Sequence, residues 1–170
     1  NCCKSSVELA LQTLRDKYYN SLVPHRIISP DSAQVIDNLA VLRVPPRVST
    51  FACFDFTPED IFLVNGCLKY PDPKHQVRGL PIIDLACFAG VSLDSYALPG
   101  SEGGYRIIED FACGTVAELF SLSESEAKQY FYLGRALQLA ISSKVRINTE
   151  FPKAQLLGEK SLEFLHRVSS

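Results

Sequence analysis

Residues 123–143 read SESEAKQYFYLGRALQLAISS, which is the longest uninterrupted helical pattern in the chain. Ser123 and Glu126 have the spacing of a capping box, in which a hydroxyl and a carboxylate each bind a free backbone N–H group of the first turn. Apolar and small residues then recur at helical spacing along one face, namely Ala127, Tyr130, Phe131, Gly134, Leu137, Ala140 and Ile141. Three polar residues lie off that face, namely Lys128, Arg135 and Ser142. A helix this apolar on one side must pack against other elements, so we predict that it is the central helix of the fold.

The composition is that of an ordinary globular protein. Of the 170 residues, 46% are hydrophobic and 21% are charged, which suits one domain with its own core. We therefore expect a single globular domain over residues 1–170. The chain has no methionine, even at its first position, which favours a domain excised from a larger chain or a processed product. A targeting signal removed during processing stays open as an alternative.

Three further segments predict helices around the central one. Residues 6–22 carry an apolar stripe at helical spacing, and Pro24 ends it. Ser29, Pro30 and Asp31 have the order of a hydroxyl cap, a first-turn proline and an acid near the positive end of the helix dipole. A final helix is predicted for residues 152–168, with five residues available for burial, namely Leu156, Leu157, Leu162, Leu165 and Val168.

Strand patterns are few in this sequence, which favours a mainly helical fold. Residues 48–56 read VSTFACFDF and are apolar on both alternating faces, as in a strand covered on two sides. We predict an α+β fold that is a mainly helical single domain with a small β-sheet, with the C-terminal helix pair packed on the core. A mixed fold with a larger central sheet is the alternative.

Residues 58–70 fit two structures. Thr57 to Asp60 form a strong helix start, whereas Asn65-Gly66 between two apolar runs is typical of a tight hairpin turn. Glycine inside a helix costs about 1 kcal/mol, which favours the hairpin. In the hairpin, however, the helix start at residues 57–60 would have no helix to cap. We prefer a helix from Pro58 that frays near Gly66, with the hairpin as the alternative.

The segments between these elements divide into a buried run and several irregular ones. Residues 80–90 are apolar and predicted to be buried. Residues 71–79 predict an exposed loop with a basic edge, and the glycine-rich residues 98–105 predict a flexible loop. We expect a short strand at 105–108, a helical turn at 115–122 and an extended segment at 144–147.

The cysteines predict free thiols and no metal site. Cys53, Cys67, Cys87 and Cys113 have apolar neighbours, which is typical of buried thiols. Zinc sites usually bring ligands in close pairs such as Cys-x-x-Cys, and Cys2-Cys3 are adjacent instead. We therefore expect no metal ion and no cofactor.

Catalytic patterns are sparse. His25, His75 and His166 are the available bases, and a cysteine nucleophile needs one of them nearby. A cysteine-dependent hydrolase or transferase, using one of the buried cysteines with a histidine, is therefore an alternative function. The acid pairs Glu59-Asp60 and Glu109-Asp110 could also serve acid–base chemistry.

One region is locally basic. Lys69, Tyr70, Lys74, His75 and Arg78 lie close together in the sequence, and a basic cluster beside an aromatic ring can hold single-stranded RNA. The same region contains Asp72, and the chain has a net charge of −2. A single-stranded RNA-binding module is thus a second alternative, disfavoured because the basic excess of nucleic-acid-binding proteins is missing.

Two resemblances involve the central helix. Residues 130–137, YFYLGRAL, resemble the first helix of a tetratricopeptide repeat, although no second repeat follows at that period. Residues 133–158 are also similar to a segment of the amino-terminal lobe of HECT ubiquitin ligases, and the catalytic lobe has no counterpart here. Neither resemblance implies a functional residue in this chain.

We expect a non-enzymatic protein–protein interaction or scaffold domain of a larger assembly. Aromatic and apolar residues are abundant while no catalytic constellation stands out, and tyrosine combines contact area with a polar tip. The predicted partner-binding residues are Tyr70, Lys74, His75, Arg78 and Tyr105. The longest apolar run contains Asp84 and is too short for a bilayer, so no membrane is expected. The absence of Asn-x-Ser/Thr sites favours an intracellular, cytoplasmic location.

Overall fold

The computed structural model describes residues 6–39, 49–52, 62–69, 77–79, 81–96 and 101–169. These ranges contain helices α1 (Ser6–Lys17), α2 (Pro30–Ala33), α3 (Val35–Asn38), α4 (Pro81–Tyr96), α5 (Ser101–Phe111), α6 (Ala117–Leu119), α7 (Glu124–Arg146) and α8 (Phe151–Val168). They also contain strands β1 (Ser49–Ala52), β2 (Phe62–Val64), β3 (Cys67–Lys69) and β4 (Val77–Gly79), with π-helical turns at Tyr18–Leu22 and Ala112–Val116. The predicted fold class is confirmed: the protein is mainly helical, with short antiparallel strand pairs and with α7 and α8 packed together on the core.

Helix α7 begins at the predicted capping box. The Ser123 hydroxyl accepts from the Glu126 backbone N–H at 3.3 Å, and the Glu126 carboxylate accepts from the Ser123 backbone N–H at 2.8 Å. The predicted extended segment at 144–147 is wrong, because the helix continues to Arg146. Lys144 and Arg146 place positive charge at the negative end of the helix dipole, which favours those extra residues in the helix.

Arg135 is buried in the structure, although its spacing places it off the apolar face of α7. Its side chain is only 6% exposed. The guanidinium carbon lies 5.5 Å from the ring centres of both Tyr105 and Phe164, and Nη1 donates to Gln138 Oε1 at 2.6 Å. It is buried because α1, α4 and α8 all pack on α7, so little of the middle of the helix is left to solvent.

Gly134 lies where the backbones of α4 and α7 approach each other closely. A Cβ atom at this position would lie 2.5 Å from the backbone oxygen of Ile83 and 2.8 Å from Ala86 Cβ. The thiol of Cys87, on the same face of α4, donates to the Gly134 carbonyl at 3.4 Å. The two backbones can approach this closely only because residue 134 lacks a side chain.

Small polar residues join α7 to α8. Ser143 Oγ donates to the Ala154 carbonyl at 2.6 Å, and Ser161 Oγ donates to the Ala136 carbonyl at 2.7 Å. Tyr18, which is fully buried, donates its hydroxyl hydrogen to Ser161 Oγ and so links the N-terminal segment to α8. Each of these buried hydroxyls therefore has a partner, as burial requires.

The final helix is confirmed, and its buried face is confirmed except at one position. Leu157, Leu165 and Val168 are buried and Leu162 is partly buried. Leu156 remains 50% exposed. Leu156 and Leu157 are adjacent and so point about 100° apart on a helix, and only Leu157 faces the core.

The N-terminal predictions are confirmed within the described residues. Helix α1 runs into the first π-helical turn, so helical structure extends over residues 6–22. Ser29 caps α2 by accepting from the Ser32 backbone N–H at 3.1 Å, with Pro30 in the first turn. The stripe of α1 and the inner faces of α2 and α3 contribute buried residues to one core, namely Val7, Ala10, Leu14, Tyr18, Leu22, Ala33, Ile36 and Leu39.

Strands β1 and β4 form an antiparallel pair. Ser49 lies opposite Gly79 and Ala52 opposite Val77. β1 falls within the predicted strand at 48–56, whose remaining residues lie outside the described ranges. The predicted loop at 71–79 is wrong for Val77–Gly79, because pairing with β1 gives those backbone groups hydrogen-bond partners.

Strands β2 and β3 form a tight hairpin, so the preferred helix over residues 58–70 is wrong for residues 62–69. Phe62 pairs with Lys69 and Val64 with Cys67. The turn residues Asn65 and Gly66 have φ values of 52° and 75°. Two consecutive positive φ angles are what a type I′ hairpin turn requires and what an α-helix excludes.

The predicted flexible loop at 98–105 and the strand at 105–108 are both wrong over the described residues, because α5 spans Ser101–Phe111. Tyr105 and Ile108, one helical turn apart, pack against the core. The Tyr105 ring meets Phe131 of α7 edge to face, with ring centres 5.6 Å apart. Burial of this face outweighs the low helix propensity of Gly103 and Gly104, about 1 kcal/mol each.

Candidate binding surfaces

The predicted partner-binding residues fall partly within the described ranges. Tyr70, Lys74 and His75 lie outside them, and Arg78 lies in β4. Tyr105 lies on α5 between Phe131 and Arg135. Burial raises the pKa of its hydroxyl, with the nearby carboxylate of Glu109 adding to the effect. Tyr105 is therefore at the rim of the core. The binding of a partner by these five residues stays a prediction.

A different surface is evident in the hairpin of residues 62–69, which we name the apolar hairpin. Every residue in it is exposed, including Cys67. Leu63 is 71% exposed and Leu68 is 74% exposed, and Phe62 and Val64 are also exposed. Four large apolar side chains in one short exposed element far exceed the scattered single residues of an ordinary surface.

The backbone of the apolar hairpin adds a second feature. In the described part of the chain, β2 and β3 form a two-stranded sheet and pair only with each other. The outer edges of such a sheet present N–H and C=O groups to an added strand. The sequence conceals this surface, because the helix start at 57–60 competes with the Asn-Gly turn.

A cleft lies between α5–α6 and the first half of α7, with a volume of about 660 Å³. Its buried or half-buried lining consists of Cys113, Ala117, Leu122 and Tyr132. Its charged lining consists of Glu109, Asp110, Glu118, Glu124, Arg106 and Lys128. Acids thus outnumber bases by four to two, and we call this feature the acid-rimmed cleft. The Glu109-Asp110 pair noted in the sequence lies here.

Two contacts organise the charges of the cleft. Lys128 Nζ donates to the Glu124 carboxylate one helical turn earlier, and this hydrogen bond raises the pKa of Lys128 and lowers that of Glu124. Partial burial, followed by the neighbouring Glu109 carboxylate, raises the pKa of the Tyr132 hydroxyl. Since Glu124 and Lys128 neutralise each other, the uncompensated negative charge lies on the α5–α6 side.

Cys113 is the thiol of the cleft, and it is poorly suited to nucleophilic attack. It is 7% exposed. Burial, and then the charge of Glu109, raises its pKa to about 11. Reactive cysteines instead have a lowered pKa beside a base or another positive group. Within the described part of the chain, no histidine lines this cleft.

We expect Cys113 to be alkylated slowly by iodoacetamide. A pKa of about 11 leaves about one thiol in a thousand ionised at about pH 8, and only the thiolate reacts. Site-resolved mass spectrometry should show exposed Cys67 modified before Cys113, with Cys113 reacting only as the pH rises towards 11. Rapid labelling of Cys113 at neutral pH, surviving in a Cys67→Ser variant, would contradict this expectation.

The structure confirms the predicted burial for some of the remaining thiols and contradicts it for one. Cys87 and Cys113 are buried thiols outside any disulfide, as predicted. Cys67 is instead exposed in β3, because its segment forms the hairpin. Cys53 and His75 lie outside the described residues. His25 is exposed in the turn after the first π-helical turn, and His166 is exposed in the last turn of α8.

The described ranges lack two further features. Within them, no group of three or more histidine, cysteine, aspartate or glutamate side chains is placed to hold a metal ion. No helix in the described part combines the length and the apolarity needed to cross a membrane.

Comparison of the chain with models of protein families, with curated proteins and with solved structures gives no match. The resemblances of the central helix to tetratricopeptide repeats and to HECT ligases therefore gain no support.

Proposed function

We propose that this chain is a non-enzymatic protein-interaction domain that contacts its partner through the apolar hairpin. The observation that carries the proposal is the exposure of Phe62, Leu63, Val64 and Leu68 on one short two-stranded element. Most residues of these types in the core helices are buried, and the other exposed ones, such as Leu119 and Leu156, lie on separate helices. Large exposed apolar patches on soluble proteins mark interaction sites.

The physical gain from covering this element is large. Fully burying a leucine or phenylalanine side chain is worth about 1.5–3 kcal/mol, and the apolar hairpin offers several such side chains. A partner strand added at an outer edge would also supply backbone hydrogen bonds, the mode known as β-augmentation. Both contributions fit a protein partner better than a small polar ligand.

The cysteine-dependent alternative has less support. Cys113 lines a cleft, but burial raises its pKa, and Cys87 gives its thiol hydrogen to the Gly134 carbonyl in the core. Neither environment favours the thiolate that a nucleophile requires. Cys67 is exposed on a hairpin of apolar residues, and none of the described histidines lies in that hairpin.

The test is affinity capture with the hairpin altered. Leu63→Gln/Leu68→Gln keeps the turn and removes the two most exposed leucines. Leu119→Gln/Leu156→Gln changes two exposed leucines elsewhere and is the matched control. Wild-type protein and control should retain one purified partner with equal affinity. The hairpin variant should bind it at least tenfold more weakly, about 1.4 kcal/mol or more.

Far-ultraviolet circular dichroism and thermal melting should be the same for all three proteins, since the altered side chains are exposed. Equal partner affinity for the hairpin variant and wild type would overturn the proposed docking surface. Turnover of a substrate by the protein, abolished by Cys113→Ser, would overturn the non-enzymatic assignment.

A further inference from the structure

We propose that the acid-rimmed cleft binds an arginine- or lysine-rich peptide segment of a protein partner. This surface is separate from the apolar hairpin, because its lining comes from α5, the second π-helical turn, α6, the connection after α6, and α7. The inference goes beyond the proposed function, because it assigns a second site with its own ligand chemistry.

The shape of the cleft favours a chain segment over an ion. Its volume is about 660 Å³, within the range of pockets that hold ligands of many atoms. The lining between the charges is apolar or aromatic, with Ala117, Leu122 and Tyr132 beside the Cys113 thiol. Among the described residues around it, no three histidine, cysteine, aspartate or glutamate side chains are placed to hold a metal ion together. The cleft is therefore large enough for a chain segment and offers it both apolar and charged side chains.

Charge complementarity identifies the occupant. Glu124 and Lys128 are paired with each other on α7. The α5–α6 side of the cleft then carries three acids, Glu109, Asp110 and Glu118, and one base, Arg106. A phosphate-bearing ligand would meet this negative excess and be repelled. Arginine and lysine side chains match both features, since their aliphatic stems cover apolar surface while their cationic ends reach carboxylates.

The charged residues at the rim of the cleft are mostly exposed to solvent, so a basic segment can reach them from outside the cleft. Asp110, Glu118 and Glu124 are exposed, whereas Glu109 is half-buried beside Tyr132. Exposed charges of this kind steer association and give salt-dependent binding, with modest contributions from each pair. The apolar lining then holds the segment once it has arrived.

The experiment uses fluorescence anisotropy with defined peptides. The probe is a labelled peptide in which arginine alternates with leucine and alanine, and its partner probe has glutamate in place of every arginine. The cleft variant is Asp110→Asn/Glu118→Gln. Its control is Glu159→Gln/Glu163→Gln, which changes the net charge of the protein by the same amount on exposed positions of α8.

The basic peptide should bind wild type and the α8 control equally, and more weakly as salt is raised. Binding to the cleft variant should be about fivefold weaker, since two exposed charge pairs are lost. The glutamate peptide should not bind. Equal affinity for the two variants, absence of saturable binding of the basic peptide, or equal binding of the acidic peptide would each overturn the proposal.

The Leu63→Gln/Leu68→Gln variant separates the two proposals. It should bind the basic peptide as wild type does, because the apolar hairpin does not line the cleft. Loss of peptide binding in that variant, with binding kept by Asp110→Asn/Glu118→Gln, would refute the cleft and assign the peptide to the hairpin.

Discussion

Gly134→Ala is expected to destabilise the protein by about 2 kcal/mol, although alanine is the better helix former by about 1 kcal/mol. The added methyl group would lie 2.5 Å from the Ile83 carbonyl oxygen and 2.8 Å from Ala86 Cβ. The nearest atom belongs to the backbone of α4 and cannot rotate away, so the helices must separate. Gly134→Val should cost more than about 3 kcal/mol, because its two further methyl groups widen the same gap.

Gly104→Ala is the matched control. Gly104 lies in α5 and is exposed, and a Cβ atom added there would meet no other atom within 4 Å. The same substitution should therefore stabilise the protein by about 0.5–1 kcal/mol through helix propensity alone. Urea unfolding followed by circular dichroism measures both changes. A stabilising Gly134→Ala would contradict the close approach of α4 and α7.

Phe131→Ala is expected to cost about 3–5 kcal/mol, as the loss of a large buried aromatic ring does. The ring is fully buried in the core and meets Tyr105 edge to face at 5.6 Å. Its removal leaves a cavity at the junction of α5 and α7. Because α5 contains Gly103 and Gly104, its helical state relies on that contact, and loss of the ring should also loosen α5.

Phe111→Ala provides the comparison for this truncation. Phe111 lies at the end of α5 and is exposed, so its loss should change the free energy of unfolding by less than about 1 kcal/mol. Chemical denaturation gives the stability of both variants, and amide hydrogen exchange in residues 101–111 reports the state of α5. Equal destabilisation by the two variants would contradict the inward position of Phe131.

The parts of the fold that can be predicted from the sequence are those with strong local signals. Ser123 and Ser29 fix helix starts by accepting the backbone N–H groups of Glu126 and Ser32, each within the first turn. The stripe of residues 6–22 is so regular that its packing follows from spacing alone. Such signals need no knowledge of the rest of the chain.

The errors occur where contacts distant in sequence decide the structure. Tyr105 packs on Phe131, and this contact holds a glycine-containing segment as a helix. The burial of Arg135, which its position off the apolar face does not reveal, also depends on the helices that pack around α7. The acid-rimmed cleft likewise needs α5 beside α7, so the sequence shows Glu109 and Asp110 as a pair but does not place them in a cleft.

The wrong prediction of a helix at the apolar hairpin has a different cause, because two local sequence signals compete there. The helix start at 57–60 and the turn at Asn65-Gly66 cannot both hold for the same residues. The positive φ angles of both turn residues decide for the hairpin. Greater weight on the Asn-Gly pair predicts the hairpin, and with it the exposed leucines.

The hydrogen bond from Tyr18 to Ser161 joins residues 143 positions apart in the chain. At typical rates of protein synthesis, on the order of ten seconds or more pass between the two residues leaving the ribosome's active centre. During that interval the apolar stripe of α1 has been made but its cover has not. Truncation before α8 should therefore leave Tyr18 without its Ser161 partner and part of the apolar stripe uncovered, and should yield an aggregated product.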